Sequence, residues 1–88
     1  MNTDFARQQM IDQQVRAWSV LDVSVLAALK AVPREQFVPE VFRKLAFADT
    51  DIPLGHGQMM MTPTIEGRVL QALLPAAGDK VLEIGTGS

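Results

Sequence analysis

The stretch that most constrains this chain is its last eight residues, Val81-Leu82-Glu83-Ile84-Gly85-Thr86-Gly87-Ser88. A short apolar run bounded by turn residues reads as a buried strand, here Lys80 to Ile84. It runs directly into Gly-x-Gly. Glycine admits positive φ and lets a ligand approach without a Cβ in the way. In open α/β sheets, ligands sit at the carboxyl ends of strands, which is where this turn lies. Gly-x-Gly alone is equally compatible with a plain strand-to-loop turn. Glu83 tilts the reading towards a ligand, because a carboxylate inside an apolar strand is costly to bury without a partner. Its outlet is the strand end, where it accepts hydrogen bonds from the loop or from a bound molecule.

Upstream the pattern is helical. Asp4 to Trp18 reads as a helix capped by Thr3 or Asp4, with Phe5, Ile11, Val15 and Trp18 near one face and Trp18 as a packing anchor. A second helix starts at the N-cap Asp22, carries Val25, Leu26, Leu29 and Val32, and is ended by Pro33. A third begins at Pro39, holds Val41, Phe42 and Leu45, and runs to about Ala46. Asp49 to Gly57 is rich in turn formers. Within it Ile52-Pro53-Leu54 is a candidate edge strand, since Pro53 has no N–H to donate. Thr62-Pro63 is a cap followed by a proline at the first helical position, and Ile65, Val69, Leu70 and Leu73 follow at helical spacing. Pro75 and Gly78-Asp79 close that helix.

Composition narrows the function classes. With 48% hydrophobic and 20% charged residues, the 88-residue chain has a globular balance. A net charge of -2 provides no broad basic field for nucleic acid or anionic lipid. There are no cysteines and one histidine, His56, so no disulfide or metal site is expected. The polar start lacks a secretory signal and no apolar run reaches the ~18–20 residues of a membrane span, so a cytoplasmic protein is expected.

Several segments in register carry a resemblance. Val32-Pro33-Arg34-Glu35-Gln36-Phe37-Val38-Pro39, then Ala48-Asp49 with Ile52-Pro53-Leu54-Gly55-His56-Gly57-Gln58, then Pro63, then Val81 to Ser88 are similar to the "VPRE-x-FVP", "D…LPIG-x-GQ", post-loop proline and "VLEIGTGS" of protein-L-isoaspartate O-methyltransferases. The likeness runs from about Gln13 to Ser88. It implies an α/β, Rossmann-like, S-adenosylmethionine-dependent methyltransferase fold for the parent protein. This fragment would be mostly helical with one or two short strands, residues 1–48 forming a helical extension and 49–88 opening the methyltransferase domain. It implies repair chemistry, in which a methyl group passes from S-adenosyl-L-methionine to the carboxylate of isoaspartyl residues in damaged proteins or peptides. Cofactor contacts are implied at Gln58, Met59, Met60, Met61, Glu83, Gly85, Thr86 and Gly87.

One departure stands out. The family's active-site serine falls on Met61, which has no hydroxyl; Thr62 is the adjacent candidate substitute, although on this register it is the helix cap. A divergent methyltransferase with another acceptor therefore stays open. So do a nicotinamide-dependent oxidoreductase and a non-catalytic helical interaction module. The bland readings are an exposed loop residue for His56, packing for Met59 to Met61, and local caps or surface pairs for Arg34 and Glu35. The chain is expected to be the front part of its parent and inactive by itself. A central strand without neighbours is an association hazard, so homodimerisation or strand exchange is expected at the C-terminal end.

Overall fold

The computed structural model describes residues 3–88. Helix α1 spans Thr3–Met10 and continues as one turn of π-helix, Ile11–Val15, and one of 3-10 helix, Arg16–Trp18. Thr3 and Asp4 lie inside its first turn rather than before it, and Asp4 accepts from Arg7 at 3.0 Å. The predicted face is only half right. Ile11 and Val15 are buried, but Phe5 and Trp18 are exposed, and Arg7 and Met10 take the inner positions instead. Trp18 is thus no packing anchor. Its 3-10 turn ends at Ser19, whose left-handed φ of 69° breaks the helix and leads into the buried Val20.

Helix α2, Val23–Ala31, begins where expected. The Asp22 carboxylate accepts from Ser24 N at 3.0 Å and Val25 N at 3.1 Å, which satisfies two N–H groups of the first turn. The Ser24 hydroxyl, followed by the Val25 amide, holds this carboxyl below its ordinary range. Pro33 pushes Val32 into extended geometry and stops the helix. The next two elements are 3-10 turns, Arg34–Phe37 and Glu40–Leu45. The expected third α-helix is therefore a 3-10 segment, with Pro39 before its first residue rather than in it.

Strands β1, Ile52–Gly55, and β2, Gln58–Met60, form an antiparallel hairpin that pairs Ile52 with Met60 and Pro53 with Met59, with an irregularity between Pro53 and Gly55. Both strands are edges, which suits Pro53. His56 caps the exposed hairpin at φ 53°. Helix α3, Pro63–Leu73, has Thr62 as N-cap, its hydroxyl accepting Ile65 N–H at 3.3 Å, and Pro63 in the first turn. Its inner face is Pro63, Thr64 and Gly67, with Leu70 packed alongside; Ile65, Val69 and Leu73 face solvent, contrary to the expected stripe.

Two small cores result. Met10, Ile11, Val15, Val20 and Val25 make one, and Val38, Ala46 and Ile52 the other; Phe47 packs against both. Gly67 brings α3 against the first core, where a Cβ would meet Val15 Cγ1 at 3.0 Å and Val20 Cγ2 at 3.4 Å. Gln71 locks the same corner: its side-chain oxygen accepts from Leu21 N and Asp22 N, and its amide donates to Ser19 O at 2.9 Å.

The expected strand Lys80–Ile84 does not form. Val81, Leu82 and Ile84 are 71%, 86% and 88% exposed, and the segment has no regular structure. A strand exists by pairing, and the hairpin strands pair only with each other. No helix among the described residues is long and apolar enough to cross a membrane.

Candidate functional site

The residues after the hairpin are placed by one side chain. Arg34 is 9% exposed and reaches three separate segments. Its Nε donates to Ala46 O at 2.6 Å and its Nη2 to Met61 O at 2.8 Å, while Nη1 pairs with Glu66 in the first turn of α3. Glu35, its neighbour, accepts twice from Arg7 Nη2 at 2.6 Å, and the Arg7 guanidinium lies 5.4 Å from the centre of the Phe47 ring. Neither residue is the surface pair that the sequence suggests. A buried cation must be matched by acceptors: Arg34 has one at each of its three nitrogens, and Arg7 at both Nη atoms but not at its buried Nε.

Burial by itself pushes the Glu35 carboxyl up. The hydrogen bonds from Arg7, the residue's own backbone amide and the charges of Arg7 and Arg43 together outweigh it, and the carboxyl sits below its ordinary value. The Arg7 guanidinium is held further up, chiefly by its hydrogen bonds to Glu35 against the opposing effect of burial.

Between this framework and the C-terminal segment is an open cavity of about 470 Å³. Met59, Met60 and Met61 line one wall, and Glu83, Gly85, Thr86 and Ser88 another. Arg34, Glu66 and Leu54 also line it, with apolar residues of α2 and α3 such as Leu29 and Leu70. Gly85 and Gly87 take φ of 76° and 84°, the region that favours glycine. A Cβ on Gly87 would meet Leu54 Cδ1 at 3.0 Å, so any other residue would have to displace the Leu54 side chain as well as adopt that φ. Six of the residues expected at a cofactor site, Met59, Met60, Met61, Glu83, Gly85 and Thr86, thus share one cavity. Gln58 lies outside it, exposed on β2; Gly87 does not line it, although it lies close to Leu54, which does; Thr62 is engaged as the α3 cap.

The sequence reading missed β2, because a methionine run carries little strand signal. It also missed Arg34, Leu54 and Glu66 as parts of the wall. Glu66 had one usable signal, its place in the first helical turn, where a carboxylate faces the free N–H groups.

A cavity joining a glycine turn to a post-hairpin loop suits many small ligands. The decisive observation is that the model of the protein-L-isoaspartate(D-aspartate) O-methyltransferase family matches residues 5–88. The chain belongs to this family. Among relatives in the protein-L-isoaspartate O-methyltransferase family, the chain is 48% identical over 88 residues to "Protein-L-isoaspartate O-methyltransferase 1" of Rhodopseudomonas palustris (strain HaA2), which covers 98% of the chain and 36% of that protein. It is 45% identical over 83 residues to the protein of the same name, without the numeral, from Aeropyrum pernix, covering 94% of the chain and 32% of that protein. The chain therefore spans about a third of the length of these curated relatives. The methyltransferase family match includes both walls of the cavity.

Proposed function

We propose that the complete protein is an S-adenosylmethionine-dependent methyltransferase that esterifies the carboxylate of isoaspartyl residues in damaged proteins and peptides. In this reading residues 1–48 are a helical extension and 49–88 open the methyltransferase domain of a Rossmann-like protein. The observation that carries it is the meeting of Met59–Met61 with Glu83–Thr86, more than twenty residues apart in sequence, around one cavity. The volume lies in the range of ligand pockets, about 300–1,000 Å³. The wall is largely apolar with a few polar groups, which suits a molecule that is part nucleoside and part amino acid.

S-adenosylmethionine supplies an activated methyl group. The chain's own work is to bind and align. The glycine turn lets the backbone approach closely, and Glu83 offers an acceptor beside it. Met59, Met60 and Met61 supply an apolar wall for the cofactor to cover, while Gln58 and Gly87 flank the site. Met61, at the family's serine position, cannot donate a hydrogen bond to an acceptor carboxylate. Thr62 is the nearest hydroxyl, and its oxygen already accepts from Ile65 N. This favours a second reading, a methyltransferase whose acceptor is not isoaspartate. Cytoplasmic location and self-association of the 88-residue chain through residues 80–84 belong to the same proposal.

The test is calorimetric titration of the complete gene product with S-adenosylhomocysteine, followed by methyl transfer to an isoaspartyl peptide. Binding with transfer establishes repair. Binding without transfer assigns a different acceptor, and Met61→Ser should then restore transfer. Absence of binding removes the methyltransferase reading.

A further inference from the structure

We propose that Met59 and Met61 are a paired oxidation site, which converts the methionine wall of the cavity from apolar to polar without unfolding the chain. Side chains alternate along a strand, so Met59 and Met60 point to opposite faces of β2. Met60 packs against the Val38–Ala46–Ile52 core and also borders the cavity, whereas Met59 is 52% and Met61 48% exposed there. Met10 also borders the cavity but is 2% exposed and belongs to the first core. One cavity thus holds two half-exposed methionines, one partly packed and one buried.

Thioether reactivity towards peroxide follows accessibility. The sulfur lone pair attacks the outer oxygen of a hydroperoxide. An S–O bond forms and the O–O bond breaks. The departing oxygen takes up the proton and leaves as water, or as the alcohol from an organic peroxide. The sulfur loses two electrons and the peroxide gains them. The product sulfoxide is a polar acceptor, and enzymes of the methionine sulfoxide reductase class reverse the step. Neither Met59 nor Met61 belongs to either core, and each is about half exposed, so neither core is disturbed when they change.

The complete gene product would be treated with graded hydrogen peroxide, folded and in urea, and these four methionines followed by peptide mass spectrometry. Met59 and Met61 are expected to oxidise about tenfold or more ahead of Met10 in the folded chain, with Met60 between, and all at one rate in urea. Far-UV circular dichroism of the chain oxidised at these two positions should match the untreated chain. Met59→Leu with Met61→Leu should remove the fast phase. Protection of Met59 and Met61 equal to that of Met10, equal rates for all in the folded chain, or loss of helicity on oxidising the pair would each overturn the proposal; the first two comparisons need only the unmutated chain.

Discussion

Replacing Arg34 by alanine tests the framework most directly. The substitution leaves Ala46 O and Met61 O without their donor and Glu66 without its partner. Hydrogen bonds to charged groups contribute about 1.5–3 kcal/mol each. The Glu66 side chain is 30% exposed and rehydrates, and the cavity admits water to Met61 O, so the lower end of the range applies. Two such bonds give a loss of about 3 kcal/mol. For a domain of this size that lowers Tm by roughly 12–24 °C. This is a large part of the stability a small domain has, about 5 kcal/mol. Arg34→Lys keeps the charge but not the planar fork and should recover only part of the loss. Thermal and urea unfolding followed by circular dichroism would measure it, with exposed Arg68→Ala as the control, expected within about 0.5 kcal/mol of the unmutated chain. If Arg34→Ala costs no more than the control, the three contacts do not hold the hairpin to α3 and the reasoning fails.

Three further outcomes follow from the same structure. Gly67→Ala gains about 1 kcal/mol of helix propensity but presses on Val15 and Val20, which are fully buried and stiff; overpacking of about 1–3 kcal/mol should make the net change a loss in urea unfolding. Thr62→Ala removes the α3 cap and should lower stability by about 1 kcal/mol, seen as a shifted urea midpoint with unchanged slope. The Glu35 carboxyl titrates lower in the folded chain than in the unfolded one, so its contribution is complete above the unfolded value of about 4.3 and is lost as pH falls through the lowered folded value. Glu35→Gln should therefore weaken the chain at neutral pH and flatten the acid limb of a stability-against-pH curve; an unchanged limb would show that the Arg7 pair contributes nothing.

What the sequence revealed and what it hid divide along physical lines. The helix starts at Asp22 and Thr62-Pro63 were legible because a cap is a local bargain between one side chain and the next three amides. The stop at Pro33 was legible for the same reason. Long-range pairing was not. Arg7 and Arg34 occupy inner positions that hydropathy assigns to apolar residues, because their acceptors lie 28 and 12 to 32 residues away. The Lys80–Ile84 strand failed in the opposite sense: its residues suit a strand, but no strand edge meets them. Both walls of the cavity were named from sequence, since the glycine turn and the loop each carry a motif. The parts between them, Leu54, Glu66 and Arg34, became visible only once the chain was folded.

Gly67 and Gln71 stand one turn apart on α3 and meet the same corner, the first as a notch, the second as a clasp on Ser19, Leu21 and Asp22. Together with the cap at Thr62 they make the helix a ruler. A single inserted or deleted residue turns everything beyond it by about 100°: between positions 67 and 71 it separates notch from clasp, and between 62 and 67 it turns both out of register with the cap. Substitutions on the outer face, at Arg68 or Val69, leave this registration untouched. Descent can rewrite the surface of this helix freely, but its length between cap and clasp is fixed.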